Sequence, residues 1–189
     1  MRSIEPFDSN TVEVDGICFA TFMPERVLKI PKQNGDRTPL QLGIKITNNT
    51  SIPRYFSFLF SFTPEIKTPD GQIRGSGYST DRLLKPLVSD FLLAKLFETV
   101  TFSLNAELYW TKLSIKDRCE TLVIFIPFRD GYFMFDFLNP GIYQMRFTYQ
   151  VHSSTVEHTY QRWIDPSILQ SLWIGKIATP FVEFRLVES

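Results

Sequence analysis

Apolar residues recur at every second position over long segments of this chain, and no other feature limits the fold as strongly. Successive side chains of a β-strand point to opposite faces, so a period of two gives a strand with one apolar and one polar face. The segments 40–46, 99–110, 143–149 and 182–186 all follow this pattern. The longest apolar series consists of Val100, Phe102, Leu104, Ala106, Leu108 and Trp110. The sequence therefore predicts strands that each bury one face.

Further segments extend the strand pattern, and turn signals separate them. Residues 122–128 are continuously apolar, which predicts a strand covered on both faces. Alternate phenylalanines over residues 56–62 predict one more strand, ending at Thr63-Pro64. The turn signals, each rich in Asn, Pro, Asp or Gly, are Asn48-Asn49-Thr50-Ser51, Pro69-Asp70-Gly71 and Asn139-Pro140-Gly141.

Helical signals are few. Asp165-Pro166-Ser167 offers an N-cap followed by proline at the first helical position, which predicts one or two turns there. Strands without alternating helices predict an all-β antiparallel sandwich of about seven to nine strands, with at most one or two short helical turns. The 18 Phe, 7 Tyr and 3 Trp supply the filling between two sheets. We expect one domain over residues 11–189 behind a flexible N-terminus of residues 1–10.

Charge and hydropathy exclude several classes of partner. The chain has 20 Lys+Arg and 20 Asp+Glu with no basic block, so it does not have the electrostatics of a nucleic-acid or anionic-membrane binder. Its longest purely aliphatic or aromatic stretch, Leu122–Ile126, is far shorter than the ~20 residues that span a bilayer. Residues 1–8 lack the apolar segment of a secretory signal, so we expect a cytoplasmic protein with reduced cysteines.

The residue types that perform catalysis or bind metals are sparse. The two histidines, His152 and His158, lie in a polar stretch that we interpret as a solvated loop or an edge strand. With Glu157 they match no zinc spacing, and neither Cys18 nor Cys119 lies in a recognisable nucleophile motif. We therefore predict no catalytic residue, no metal site and no cofactor.

Three segments with weak periodicity are candidate binding loops: residues 70–89, 111–121 and 150–163. Long loops in compact domains are often functional. Tyrosine, arginine and tryptophan are the residue types most enriched at binding hot spots. The candidate binding residues are accordingly Arg74, Tyr78, Tyr160, Arg162 and Trp163. The alternative for the aromatic members is packing in the core or at a sheet edge.

Several turn and strand motifs resemble those of known bacterial proteins. They are Thr47-Asn48-Asn49-Thr50, Pro53, Pro69-Asp70-Gly71, Leu138-Asn139-Pro140-Gly141-Ile142-Tyr143, Trp173-Ile174-Gly175 and Thr179–Leu186. The chain is similar in these motifs to uncharacterised immunoglobulin-like proteins of photosynthetic bacteria and, more distantly, to the bacterial intracellular proteinase inhibitor family. The resemblance implies an immunoglobulin-like β-sandwich. It departs at Ala94–Glu98, where related sequences have Pro-Gly.

Three functional hypotheses follow. The first is a non-enzymatic protein-binding or scaffolding module whose partner is another protein or a second copy of the chain. The second, from the distant resemblance, is an intracellular proteinase inhibitor acting through a protruding loop, either 70–89 or 111–121. The third is an enzyme, which requires His152 or His158 to lie within ~3–4 Å of a cysteine or carboxylate in a pocket.

Overall fold

The computed structural model describes residues 10–59, 61–80, 85–112, 120–129 and 131–189, and these residues form two large sheets and one small one. The first sheet has seven strands, in the order β1 (Thr11–Val14), β2 (Ile17–Phe22), β4 (Thr38–Asn48), β10 (Thr99–Thr111), β11 (Thr121–Phe128), β12 (Gly131–Leu138) and β8 (Gly77–Thr80). The second has the order β3 (Val27–Lys29), β15 (Val182–Val187), β13 (Gly141–Val151), β6 (Phe62–Lys67) and β7 (Ile73–Gly75), with β14 (Gly175–Ala178) also paired to β13. The small sheet pairs β5 (Arg54–Ser57) with β9 (Phe91–Ala94).

The two longest alternating segments form the centre of the first sheet. β4 and β10 pair antiparallel, with Leu42 opposite Leu104 and Ile44 opposite Phe102, and all four side chains are buried. At Gly43 an added Cβ would lie 1.8 Å from the carbonyl oxygen of Phe102, so only glycine permits this close approach of the strands. The alternation over 99–110 is confirmed because its apolar members face the core.

The inner faces of the two large sheets pack against each other through aromatic rings. Phe19 of the first sheet lies 5.8 Å from Tyr149 of the second, measured between ring centroids, and Phe62 of the second lies 6.0 Å from Phe133 of the first. A buried hydroxyl pair, Thr21 Oγ1 to Thr179 Oγ1 at 2.6 Å, also joins the sheets. The protein is therefore a β-sandwich with an aromatic core, as the sequence predicts.

The strand count exceeds the prediction, since the described residues form fifteen strands rather than seven to nine. The segment 70–89 was expected to be a loop, yet β7 and β8 lie within it and form the edges of the two large sheets. Short edge strands carry too few residues to show a period of two, which is why the sequence does not reveal them. Residues 113–119 of the second candidate segment, 111–121, lie outside the described residues.

The alternating phenylalanines over 56–62 do not form one strand. β5 ends at Ser57, and Ser57 Oγ then accepts a hydrogen bond from the Leu59 amide at 3.2 Å, which turns the chain out of extended pairing. β6 begins at Phe62 in a different sheet. Phe60 lies outside the described residues.

The helical segments are short. α2 (Pro166–Gln170) begins where predicted, with the Asp165 side chain accepting a hydrogen bond from the Ser167 amide at 2.8 Å. The loop or edge strand predicted around the histidines is wrong, because α1 (Ser153–Thr155) and a π-helical turn (Val156–Tyr160) occupy it. Val156 and Tyr160, four positions apart, are both buried, which is a helical spacing. None of the helices in the described residues is long and apolar enough to cross a membrane.

Candidate binding site

A cavity of about 220 Å³ lies between the two large sheets. We call it the aromatic pocket; the described residues of its lining are Phe58, Leu59, Phe62, Thr63, Ser76, Phe128, Arg129 and Phe133. Phe62 comes from β6 of the second sheet, and Phe128 and Phe133 come from β11 and β12 of the first. Ser76 is the residue at which the chain passes from β7 to β8 and so from one sheet edge to the other. The pocket therefore occupies the side of the sandwich where the chain changes sheets.

Mutual stacking fixes the phenylalanine walls of the pocket. Phe58 stacks on Phe62 with 4.9 Å between centroids, and on Phe102, at the same distance, with an interplanar angle of 4°. Phe128 stacks on Phe133 at 4.5 Å. Aromatic pairs of this kind contribute ~0.5–1.5 kcal/mol each beyond the area they bury. The rings are thus held by one another, and the cavity is already formed without a ligand.

Besides Thr63, the described lining contains two polar side chains. Within the part of the chain that the structure describes, the Ser76 hydroxyl oxygen is buried and has no hydrogen-bond partner. Leaving such a group unpaired costs ~1–3 kcal/mol. The second group is the Arg129 guanidinium, whose Nη1 donates to the Asp90 carboxylate at 2.7 Å and whose Nη2 donates to the Lys85 carbonyl oxygen at 3.3 Å.

Asp90 connects the pocket to the turn that precedes β9. This buried carboxylate pairs with Arg129 and also accepts the Leu87 amide at 2.8 Å. Its backbone carbonyl accepts the Phe58 amide at 2.6 Å. Arg129 itself has φ of 34°, in the left-handed region that costs a non-glycine residue ~1 kcal/mol or more. Asp90 therefore fixes both the guanidinium and one ring of the pocket wall.

Exposed apolar side chains lie on the segment that borders Arg129. Leu87 and Val88 are 49% and 62% exposed, and the Lys85 ammonium lies 3.7 Å from the centroid of the Trp163 ring. Trp163 is itself 51% exposed. We call Lys85, Leu87, Val88 and Trp163 the rim. Partly exposed tryptophans and large exposed apolar residues are typical of surfaces that bind other molecules.

Tyr160 is buried and contacts the pocket residue Leu59. Its hydroxyl donates to the Leu59 carbonyl oxygen at 2.7 Å and lies 2.9 Å from Ser57 Oγ, while its ring meets Phe91 edge-on at 5.1 Å. Burial raises the pKa of the Tyr160 phenol, so it stays protonated and keeps donating at neutral pH. Tyr160 is a core residue that positions Leu59, and it presents no surface to a partner.

The other sequence-predicted binding residues are dispersed. Arg74 is exposed on β7 and borders a separate cavity of about 80 Å³ with Ile66 and Met134. The backbone of Tyr78 pairs with Phe133, but its side chain lies outside the described part of the structure. Arg162 and Trp163 are exposed on the turn after the π-helical segment.

Most of the pocket residues are missed by the sequence analysis. The phenylalanines were assigned to the filling between the sheets, and residues 74–78 belong to the segment 70–89, which was interpreted as a loop. Arg129 stands in an apparent Arg-Asp-Gly turn, so its pairing with Asp90, 39 positions earlier in the chain, has no local signal. The only available clue was the excess of phenylalanine itself.

The residues considered for catalysis do not come together. His152 and His158 are both exposed, and a ring nitrogen of His152 contacts the Gln150 amide. The Cys18 thiol donates to the Glu13 carboxylate at 3.3 Å, and burial together with Glu13 raises the Cys18 pKa to about 11, so the thiol is protonated at neutral pH. Cys119 lies outside the described residues. Within the described ranges, no group of three or more His, Cys, Asp or Glu side chains is placed to hold a metal ion.

No family model matches the chain, and no curated protein matches it. Among solved structures, the chain is similar to an uncharacterized β-sandwich protein from Clostridium difficile 630, with 12% sequence identity and a TM-score of 0.24. That match covers 68% of this chain and 89% of the other. Similarity of this degree supports no statement about what the chain binds.

Proposed function

We propose that the chain is a non-enzymatic protein-binding module that inserts one apolar side chain of its partner into the aromatic pocket. The observation that carries the proposal is the preformed cavity of about 220 Å³ between the sheets, lined by four phenylalanines. Burying a Leu or Phe side chain there contributes ~1.5–3 kcal/mol to binding. Because stacking and the Asp90–Arg129 pair already hold the walls, little of that free energy is lost to ordering the site.

The rim enlarges the surface available to the partner. Exposed Leu87 and Val88 follow Lys85, whose carbonyl oxygen accepts from Arg129 and whose ammonium lies over the exposed Trp163 ring. A partner that covers them excludes water from the pocket mouth, which is the usual arrangement around a binding hot spot. The partner is a cytoplasmic protein or a second copy of this chain. The equal numbers of basic and acidic residues impose no net repulsion between copies.

The pKa of Cys18 and the exposure of both histidines support a non-enzymatic role. A nucleophile needs a base within hydrogen-bonding reach, and a cysteine nucleophile needs a lowered pKa. The Cys18 pKa is shifted in the opposite direction, and the two imidazoles lie in solvent. The pocket itself contains no imidazole, thiol or carboxylate in its described lining.

We further propose that the sandwich is immunoglobulin-like and related to the proteins of photosynthetic bacteria that its turn motifs resemble. The Asn48 motif supports this, because the Asn48 side-chain oxygen accepts the Thr50 amide at 2.9 Å as a turn of this type requires. Proteinase inhibition loses part of its support, since β7 and β8 hold residues 73–75 and 77–80 in the sheets rather than in a protruding loop. Residual activity of a panel of serine proteinases at micromolar protein tests that alternative.

Selection from a displayed random-peptide library tests the proposed function. Wild-type protein should enrich peptides with a common large apolar residue, and Ser76→Phe, which places a ring in the pocket, should lose them. Ser51→Ala, in an exposed turn, serves as the folded control. Enrichment of peptides that bind Ser76→Phe as strongly as the wild type contradicts the proposal, and so does a selection that yields no binder.

A further inference from the structure

From the polar groups of the aromatic pocket we infer that the inserted group is a single aromatic ring with a neutral carbonyl beside it, and that Ser76 donates a hydrogen bond to that carbonyl. The inference rests on the proposed function and specifies which partner residue the pocket accepts. A phenylalanine or tyrosine residue, with its own backbone carbonyl, has this chemistry. A free aromatic ketone or amide has it too.

The volume of the pocket sets the size of the group. An apolar cavity of ~150 Å³ binds benzene in an engineered protein. At about 220 Å³ the aromatic pocket has room for one six-membered ring and a short substituent. Four phenylalanines, stacked as the Phe58–Phe62 and Phe128–Phe133 pairs, line the cavity, which favours an aromatic ligand over an aliphatic one of equal size.

The hydrogen-bonding capacity of the polar side chains in the pocket determines which substituent the aromatic ring should carry. Arg129 has only donors, and the unpartnered Ser76 hydroxyl can donate its proton as well. A ligand group that pairs with either side chain through its donors must therefore be a hydrogen-bond acceptor. A ligand that accepts from Ser76 removes the cost of the unpaired buried hydroxyl, which corresponds to about a tenfold gain in affinity.

Charge compensation selects a neutral acceptor over a carboxylate. The Asp90 carboxylate lies 2.7 Å from Arg129 Nη1, so the guanidinium charge is already balanced. A second carboxylate would add an uncompensated negative charge next to buried Asp90. A carbonyl adds a dipole and no charge, so it can enter the apolar lining at far smaller cost.

NMR titration of the full chain with four probes tests the inference. Toluene lacks an acceptor, acetophenone and N-acetyl-phenylalaninamide carry a carbonyl, and phenylacetate carries a carboxylate. We expect Ser76→Ala to weaken the binding of acetophenone and of N-acetyl-phenylalaninamide about tenfold. The affinity for toluene should stay within about twofold of the wild type. Phenylacetate should bind more weakly than acetophenone. Ser51→Ala should match the wild type for every probe.

Each contrary result has a distinct meaning. If Ser76→Ala weakens the binding of toluene and acetophenone equally, or leaves both unchanged, Ser76 is not the donor. The inference is then wrong, although the pocket still binds rings. Tighter binding of phenylacetate than of acetophenone overturns the choice of a neutral acceptor. Binding of acetophenone without N-acetyl-phenylalaninamide supports the inferred chemistry but contradicts a protein partner. If no probe binds, both the inference and the proposed function are wrong.

Discussion

Replacing Asn48 with alanine should destabilise the protein more than any neighbouring polar substitution. Asn48 is fully buried at the end of β4. Its amide nitrogen donates to the carbonyl oxygens of Ile52 and Ala94, both at 2.9 Å, and its oxygen accepts from the Thr50 amide and hydroxyl at 2.9 and 2.7 Å. One side chain therefore joins the turn after β4 to the end of β9.

The expected loss follows from where those partners lie. The Ala94 carbonyl is buried, so losing its donor costs ~1–3 kcal/mol. The Ile52 and Thr50 groups are closer to solvent, where water replaces part of the lost bonding, and they add ~0.5–1 kcal/mol each. We expect Asn48→Ala to lower the free energy of unfolding by ~3 kcal/mol. For a chain of this size that is a fall in Tm of roughly 6–12 °C.

Urea denaturation at 25 °C, followed by tryptophan fluorescence, measures this loss. Asn49→Ala is the matched control, because among the described residues the Asn49 side-chain amide donates only to the Cys18 sulfur, at 3.2 Å. We expect the control to lose less than ~1 kcal/mol, since sulfur is a weak acceptor. A loss below ~1 kcal/mol for Asn48→Ala, or equal losses for the two variants, would refute the assignment of Asn48 as the link between these segments.

Three further predictions concern the sandwich. Gly43→Ala should lower the unfolding free energy by ~3 kcal/mol in the same assay, because the Cβ of the alanine would collide with the Phe102 carbonyl. A loss under ~1 kcal/mol contradicts the close approach of the two strands. Thr179→Val should cost ~2 kcal/mol, because it removes the Thr179 hydroxyl that accepts from the Phe147 amide at 2.9 Å. Hydrogen exchange of the Phe147 amide should then accelerate, and unchanged exchange argues against that bond. The folded-state pKa of Cys18, about 11, lies above its ordinary 9.0, so folding favours the thiol, and this contribution is complete below pH 9 and lost as pH rises toward 11. The stability of wild type relative to Cys18→Ala should therefore fall between pH 8.5 and 11, and a constant difference contradicts the shift.

The long strands were predictable because one face of each is buried along its whole length. In β4 and β10 every apolar position of the alternation faces the core, so the pattern alone locates both strands. The helical cap at Asp165 was predictable for a different reason, since an N-cap and a following proline act within three residues. In both cases the signal is contained in a short stretch of sequence.

The candidate binding site was not predictable because it depends on how the two sheets are placed. Phe62 and Phe133 look like ordinary core residues in the sequence, and nothing in the apolar pattern shows that they line a cavity. The state of Ser76 depends on the chain changing sheets there, and no local pattern records that change. Trp163 was selected by residue type alone, and no local pattern links it to Lys85, whose ammonium lies over its ring.

Intermolecular NOEs between N-acetyl-phenylalaninamide and the protein test pocket binding most directly. The probe's ring protons should show NOEs to the ring protons of Phe62 and Phe133, which line the pocket from opposite sheets. These NOEs should disappear in Ser76→Phe. NOEs confined to other surfaces, such as the cavity beside Trp173 and Ile174, would contradict binding between the sheets.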